Sequence, residues 1–282
     1  MTLSTNDHDR GAAGMRYVYP VLSRRAKGVS VGINLNPNNA CNWRCIYCQV
    51  PDLSRGAGPA IDMDLLRTEV DDFLSRLVSG DYLERHLPPG LRRINDVAFS
   101  GNGESTTSPH FLEAVEVVIS SLDKHSLLGR VKIVLITNGS QLGKAEVQEG
   151  LRRMASARGE IWFKVDTADE SRRALINGTR STNERVLDDL VTASQICPTR
   201  IQSCFFALDG KLPGIDEQKD FAALVVEAIR RGAKITDVLL YGLARESQQS
   251  GSERLSRCDA DEIEEAAERL AKITGIPVVA HP

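Results

Sequence analysis

The pattern of apolar and polar positions alternates between strand-like and helix-like stretches. Runs of six or seven mostly apolar residues predict strands, and stretches with apolar residues every three or four positions predict helices between them. The predicted strands are Val29–Leu35, Ile94–Ser100, Val131–Ile136, Ile161–Asp166, Ile201–Phe206 and Thr236–Tyr241. Because strand and helix alternate, we expect a parallel sheet with right-handed crossovers.

The predicted helices follow the strands in order. Asp62 is placed to cap the first helix, and a second begins after Ser108 with Pro109 at its first position. The remaining helical stretches are Gln141–Met154, Glu170–Leu175, Asn183–Ser194, Phe221–Ile229 and Cys258–Ile273. Before the first predicted strand, Arg16–Lys27 is expected to be ordered but irregular.

Chemically distinctive loops follow several of these strands, and this favours a curved barrel over a flat sheet. In such barrels the loops at the carboxyl ends of the strands carry the chemistry. The predicted fold class is therefore α/β, a partial (β/α)6 TIM-type barrel with parallel strands. Residues 1–15 read as a flexible leader. No linker or shift in composition divides the rest, so residues 16–282 are predicted to form a single domain.

Composition and net charge limit the classes of protein to which the chain can belong. The 282 residues are 41% hydrophobic and 26% charged, as in globular proteins with a full core. A net charge of −3 gives no general attraction to nucleic acid or acidic membranes. No apolar run reaches membrane-spanning length, and the first residues lack the apolar core of a signal peptide. Three clustered cysteines fit a reducing compartment, and we expect a cytoplasmic protein.

Cys41, Cys45 and Cys48 form the most informative motif. They follow Pro37 and Asn38, which mark a loop rather than a helix interior. Three thiolates on a four-iron cube would leave one iron without a protein ligand. Zinc and a buried helical stripe of small residues are the alternatives, but a zinc site usually draws on paired C-x-x-C units. The spacing therefore favours iron–sulfur over zinc and over structural cysteines.

Other strand ends add weaker signals. Gly101-Asn102-Gly103-Glu104 follows the second strand, where glycines would admit a ligand and Glu104 could pair with an ammonium group, although a plain turn is the better explanation of this loop taken alone. Lys164 and Asp166 share one face of the fourth strand with Trp162. Charged groups inside a barrel are costly unless they are paired or functional, so a mutual salt bridge is the alternative to a ligand site.

Together these residues resemble the radical S-adenosylmethionine (SAM) superfamily, through C-x-x-x-C-x-x-C with Tyr47 before the last cysteine. Further features resemble the branch that contains the wyosine-forming tRNA enzymes. They are Ser23-Arg24-Arg25 with Gly32-Ile33-Asn34, Cys41-Asn42 to Cys48-Gln49, Phe99–Glu104, Thr137-Asn138-Gly139 and Leu240–Arg245.

The resemblance implies roles for particular residues. Cys41, Cys45 and Cys48 would ligate a 4Fe–4S cluster whose open iron chelates SAM. The loop Gly101, Asn102, Gly103 and Glu104 would hold the methionine amino group, and Tyr47 would touch adenine. The ribose and carboxylate side would be lined by Asn138, Lys164, Asp166 and Gln202. Reductive cleavage of SAM would then give a 5′-deoxyadenosyl radical that abstracts hydrogen from a substrate.

One departure from the branch concerns cysteines. The archaeal wyosine enzymes carry a second cluster on additional N-terminal cysteines, whereas no cysteine precedes Cys41 here. The remaining Cys197, Cys204 and Cys258 are scattered and are predicted to be core or surface thiols. We therefore hypothesise a single-cluster radical enzyme that acts on an unidentified substrate, with the catalytic residues undetermined.

The expected partners are a low-potential electron donor of the flavodoxin or ferredoxin type and that substrate, with no membrane. Nucleic acid is a further candidate partner that the net charge does not support. Three alternatives stay open: an activase that forms a glycyl radical on a partner protein, a tRNA base-modifying enzyme, and a non-catalytic zinc or electron-transfer protein.

Overall fold

The computed structural model describes residues 14–23 and 28–282. The predicted leader lies outside them apart from Gly14 and Met15, as does the pair Arg24-Arg25. Within the described ranges there are twelve strands and eight α-helices. The strands are β1 (Val18–Ser23), β2 (Gly28–Ile33), β3 (Ala40–Cys41), β4 (Ser54–Arg55), β5 (Ile94–Phe99), β6 (Lys132–Thr137), β7 (Gly159–Lys164), β8 (Thr199–Phe205), β9 (Ala207–Leu208), β10 (Ile235–Gly242), β11 (Leu255–Ser256) and β12 (Val278–His281). The helices are α1 (Met63–Val78), α2 (Tyr82–His86), α3 (Phe111–Lys124), α4 (Ala145–Ser156), α5 (Glu170–Asn177), α6 (Asn183–Ile196), α7 (Ile215–Arg230) and α8 (Ala260–Thr274).

The chain divides into two compact units, each assembled from three segments. The first unit contains Met1–Cys41, Gly56–Ile136 and Lys144–Glu160. The second contains Asn42–Arg55, Thr137–Gly143 and Ile161–Pro282. The single domain expected over residues 16–282 stays a prediction.

The sheet of the first unit joins β1, β2, β5 and β6 in that order. β1 is antiparallel to β2, whereas β2, β5 and β6 are parallel, with Ile33 opposite Phe99. The expectation of irregular structure over Arg16–Lys27 was wrong for residues 18–23, which form the edge strand β1, while residues 24–27 lie outside the described residues. Pro20 weakens the strand signal in the sequence, but a sheet edge tolerates proline because one side of the strand needs no partner.

Helix α1 of this unit forms as its sequence predicts. The Asp62 side chain accepts a hydrogen bond from the Leu65 amide at 3.0 Å, which caps the helix. The apolar face predicted from helical spacing is buried: Leu66, Val70, Phe73, Leu74 and Leu77. Two other helices begin later than expected, α3 at Phe111 and α4 at Ala145. Residues 140–143 form a turn, which explains the late start of α4.

The second unit places β7, β8, β10 and β12 side by side, and every pair is parallel. Helix α8 has a capping box between Asp259 and Glu262 and ends at Gly275, which adopts the left-handed conformation. The four-residue β12 was not predicted, because its side chains are only partly buried and give little pattern. The predicted alternation of parallel strands and helices is confirmed. Among the described helices, none combines the length and apolar character needed to cross a lipid bilayer.

Candidate active site

The loop after β3 carries Cys45 and Cys48, and its main chain is fixed against helix α5. The Arg44 amide donates to the Asn177 carbonyl at 2.9 Å, and the Ile46 amide donates to the Ile176 carbonyl at 2.8 Å. The last carbonyls of a helix have no partner within the helix itself, so these bonds satisfy both segments.

A second segment, from the chain after β10, holds the same loop. The Gln248 amide donates to the Cys48 carbonyl at 2.9 Å, and the Ser247 hydroxyl donates to the Ile46 carbonyl at 2.6 Å. The Gln249 side-chain amide donates to the Val50 carbonyl at 2.6 Å. Backbone groups therefore give the loop its shape, and the thiols are not needed to maintain it.

Asp166 lies just beyond β7 and is the central acceptor of the second unit. Its carboxylate accepts hydrogen bonds from the Tyr47 hydroxyl, the Asn177 side-chain amide at 2.6 Å and the Cys204 backbone amide at 2.9 Å. Lys164 lies 3.6 Å away as its ionic partner. The Asp166 side chain is 0% exposed. A buried carboxylate is tolerated only when hydrogen bonds and a counter-ion compensate its charge. Asp166 therefore connects four segments of the chain, namely its own segment after β7, the cysteine loop, α5 and β8.

The Lys164 ammonium lies between two tyrosines. It donates to the Tyr241 hydroxyl at 3.0 Å and lies 4.8 Å from the centre of the Tyr47 ring. Burial alone would lower the pKa of Lys164, but the Asp166 carboxylate together with Tyr241, Cys45 and Cys204 outweighs it, so the pKa is well above the usual lysine value. Lys164 is therefore a charged member of an ion pair with Asp166. This is the mutual salt bridge that was expected as the alternative to a ligand site.

Cys45 lies beside this network. Its sulfur accepts a hydrogen bond from the Asn177 side-chain amide at 3.4 Å. Burial raises the pKa of the Cys45 thiol to about 12, while the Lys164 ammonium acts in the opposite direction. A stronger positive partner is needed to make a thiolate here, and a coordinated metal is such a partner.

Asn138 follows β6 and belongs to a ring of hydrogen bonds. Its amide donates to the Asn42 side chain at 2.9 Å, Asn42 donates to the Ser140 hydroxyl at 2.6 Å, and the Ser140 amide donates to Asn138 at 3.1 Å. Gly139 has a φ of 79°, and a β-carbon there would lie 2.4 Å from the Phe163 ring. Asn138 thus supports the residue after Cys41, and a contact with SAM stays a prediction.

The two glycines after β5 pack against the chain segment that leads to Cys41. A β-carbon on Gly101 would lie 2.4 Å from Asn34 Oδ1, and one on Gly103 would lie 2.0 Å from the Ala40 carbonyl oxygen. Asn34 Oδ1 also accepts a hydrogen bond from the Asn102 amide at 3.1 Å. Packing within the first unit is therefore enough to require glycine at both positions.

Glu104 is buried at the end of this glycine-rich loop. Its side chain accepts hydrogen bonds from the Thr106 amide at 3.3 Å and from the Thr106 hydroxyl, which caps the short helical turn Ser105–Thr107. An ammonium partner for Glu104 stays a prediction, beside this observed structural role.

The remaining predicted residues lie within or near β8. Gln202 is buried, and its backbone carbonyl accepts a hydrogen bond from the Val165 amide at 3.1 Å. Cys197 and Cys204 are buried, while Cys258 is partly exposed. A contact of Gln202 with SAM stays a prediction.

Comparison with known proteins decides the family. Residues 35–201 match the family model described as the Radical SAM superfamily, and this stretch is more than half of the 282 residues. The chain belongs to the radical SAM superfamily. The assignment made from the cysteine motif is therefore confirmed.

Relatives of this radical SAM protein include the UPF0026 protein of Helicobacter pylori strain J99. It is 28% identical over 179 residues, covering 63% of this chain and 51% of the relative. The chain spans about half the length of the curated relatives it matches.

Two solved structures share the fold. A radical SAM methyltransferase from Sphaerobacter thermophilus has a TM-score of 0.60 at 14% identity, covering 94% of this chain and 68% of that one. TYW1 with a lysine-pyruvate adduct bound has a TM-score of 0.53 at 17% identity, covering 86% and 73%. These likenesses concern the fold, and they confirm the predicted α/β fold class of the partial TIM-type barrel.

Radical SAM enzymes use a 4Fe–4S cluster and SAM, and they need a reductant and a substrate. This chain carries the domain of that superfamily over residues 35–201. Its donor set fits a cluster in kind, because Cys41, Cys45 and Cys48 supply three sulfur ligands that are not used in disulfides. In the part of the chain that the structure describes, no three Cys, His, Asp or Glu side chains are already gathered as a metal site. Ligation by these three cysteines therefore stays a prediction of the motif.

Sequence reasoning missed three supporting residues. Asn177 and Tyr241 contact the Asp166–Lys164 pair, and Ser247 holds the cysteine loop. Asn177 alone had a usable signal, since the Asn-Gly pair at 177–178 marks the end of a helix. Gly178 indeed adopts a left-handed φ of 62°.

Replacing Asp166 tests its role as the central acceptor. Asp166→Asn should lower the free energy of unfolding of the cluster-free protein by roughly 3 kcal/mol or more, because Lys164 loses its buried partner. Urea denaturation measures this. Asp216→Asn, in an ion pair whose carboxylate is 94% exposed, is the control and should change stability little. Equal stability of the two variants would contradict the role.

The close approach at Gly103 gives a second prediction. Gly103→Ala should destabilise the protein by about 1–3 kcal/mol, because the new methyl group must displace the Ala40 carbonyl. The matched control is Gly90→Ala, where a β-carbon meets nothing within 4 Å. Thermal unfolding compares the two. A Gly103→Ala protein as stable as Gly90→Ala would show that the segment can move aside.

Proposed function

We propose that this radical SAM enzyme uses a single 4Fe–4S cluster to cleave SAM reductively and so removes hydrogen from its substrate. Cys41, Cys45 and Cys48 are the proposed ligands. The observation that carries the proposal is this C-x-x-x-C-x-x-C motif on a loop whose shape depends on main-chain bonds rather than on the thiols. The cluster would supply one electron at low potential to SAM on its open iron.

The distribution of cysteines in this chain supports the proposal of a single cluster. Only three of the six are close together in sequence. Of the others, Cys197 and Cys204 are buried, burial raises the pKa of the Cys204 thiol, and Cys258 donates its thiol proton to the Phe205 carbonyl at 3.7 Å. These three have surroundings suited to protonated thiols rather than to metal ligands.

The proposed SAM-binding residues fall into two sets. Gly101, Asn102, Gly103 and Glu104 would receive the methionine amino group, with the Glu104 carboxylate as its charge partner. Tyr47 would contact adenine, while Asn138, Lys164, Asp166 and Gln202 would line the ribose and carboxylate side. The Lys164 ammonium is the cation of this second set, and its raised pKa keeps it charged at neutral pH.

The reducing electron would come from a low-potential donor of the flavodoxin or ferredoxin type. The substrate class is left open by the described residues of both units. A peptide, a metabolite and a nucleic acid are therefore all candidates for the hydrogen donor.

Loss of one ligand tests the cluster assignment. After anaerobic reconstitution and reduction, the parent protein should make 5′-deoxyadenosine from SAM, and Cys45→Ala should make none, because an incomplete ligand set cannot hold the cluster. Iron content and liquid chromatography of the nucleoside measure both properties.

The matched control for that experiment is Cys258→Ala, which removes a partly exposed cysteine outside the motif. It should keep full iron content and activity. Nucleoside formation by Cys45→Ala would disprove the ligand assignment. A reconstituted parent protein that forms no nucleoside would overturn the proposed function itself.

Glu104 can be tested separately from the cluster. Glu104→Ala should weaken SAM binding and leave the iron content unchanged. Glu104→Gln keeps an oxygen that can cap Thr106 but loses the charge, so SAM affinity should fall by about 1.5–3 kcal/mol, roughly 10- to 150-fold. Isothermal titration measures the affinity. Glu113→Ala, at a carboxylate that is 61% exposed, is the control. Unchanged affinity in Glu104→Gln would exclude a charge-assisted contact.

A further inference from the structure

Asn177 is a buried side chain outside the cysteine motif that contacts one of its sulfurs. It is 1% exposed at the end of α5. Its Nδ2 atom lies 3.4 Å from Cys45 Sγ and 2.6 Å from Asp166 Oδ2. One amide group thus joins the central carboxylate to a proposed cluster ligand.

The orientation of this amide is decided by chemistry. An ionised carboxylate only accepts hydrogen bonds, so the Asn177 atom that faces Asp166 must be the nitrogen. That nitrogen carries two hydrogens. One is directed to Asp166, and the other is shared between the Cys45 sulfur at 3.4 Å and the Tyr47 hydroxyl oxygen at 3.3 Å.

The backbone holds Asn177 in the same place. Its carbonyl accepts the Arg44 amide at 2.9 Å. The next residue, Gly178, has a φ of 62°, and a β-carbon there would lie 2.9 Å from the Arg44 carbonyl oxygen. The chain of α5 therefore packs closely against the residue before Cys45, and the amide has little freedom to turn away.

We propose that Asn177 is a positioning residue whose N–H···S hydrogen bond to Cys45 raises the reduction potential of the cluster held there. This inference rests on the proposed function, since it takes Cys45 as a ligand. Hydrogen bonds to cluster sulfurs set reduction potentials, and a donor stabilises the reduced state because that state carries more negative charge.

A purely structural role for Asn177 would make a different prediction. If the amide served only to stabilise the Asp166–Lys164 pair, removing another group bonded to that pair would disturb the cluster to the same degree. Tyr241 is such a group, because its hydroxyl accepts a hydrogen bond from Lys164 at 3.0 Å. Tyr241→Phe removes that bond and keeps every hydrogen bond described for the Asn177 amide, so it is the matched control.

The experiment is a redox titration of the reconstituted full chain, without SAM, followed by electron paramagnetic resonance. In Asn177→Leu the ratio of reduced to oxidised cluster at a fixed potential should fall about tenfold, which is about 59 mV for a one-electron couple. Asn177→Ala should give the same direction and serves if the leucine variant does not fold. Tyr241→Phe should stay within about threefold of the parent.

Three results would overturn the inference. Unchanged potentials in a folded, fully loaded Asn177 variant would remove the role of the hydrogen bond. An equal shift in Tyr241→Phe would assign the effect to the Asp166–Lys164 pair instead. A parent protein that takes up no cluster would fail earlier and would overturn the proposed function as well, so the two failures are distinguishable.

Discussion

The buried carboxylate of Asp166 is the constraint on which the second unit depends. A charge without solvent must be compensated by donors and a counter-ion, and each compensating group has only one useful position. The donors come from the cysteine loop, from α5 and from β8, and the counter-ion Lys164 comes from β7. Because the penalty for a missing partner is large, this one group fixes the mutual arrangement of segments far apart in sequence.

This arrangement separates the support of the cysteine loop from its chemistry. Main-chain hydrogen bonds to α5 and to the segment around Ser247 hold the loop on both sides. The thiols of Cys45 and Cys48 are not used in that support. A loop shaped this way could lose or gain a metal without losing its fold, which suits residues whose task is ligation.

The sequence predicted what local periodicity and spacing control. The cap at Asp62 and the apolar face of α1 follow from helical geometry, and the family follows from the spacing of three cysteines. The sequence could not reveal contacts between distant residues. Tyr47 and Asp166 are 119 positions apart, and Asn177 lies 132 positions from Cys45. Strand parity placed Lys164 beside Asp166, but no pattern could show that they form an ion pair.

The glycines after β5 show a different limit. Glycine in a loop indicates that something comes close, but the sequence does not identify what it is. At Gly103 the close neighbour is the Ala40 carbonyl, part of the same unit. A glycine pair in such a motif can therefore be required by the fold alone, and a ligand role must be argued from Glu104, the residue that carries the charge.

The charge of Asp166 also decides the orientation of the Asn177 side-chain amide. An amide can present either its oxygen or its nitrogen, and only its surroundings decide which. Here Asp166 decides, because its carboxylate cannot donate. The same buried charge that is costly to the fold therefore sets the direction of the N–H group toward Cys45. The stability of the second unit and the hydrogen bonding at Cys45 thus both depend on the Asp166 side chain.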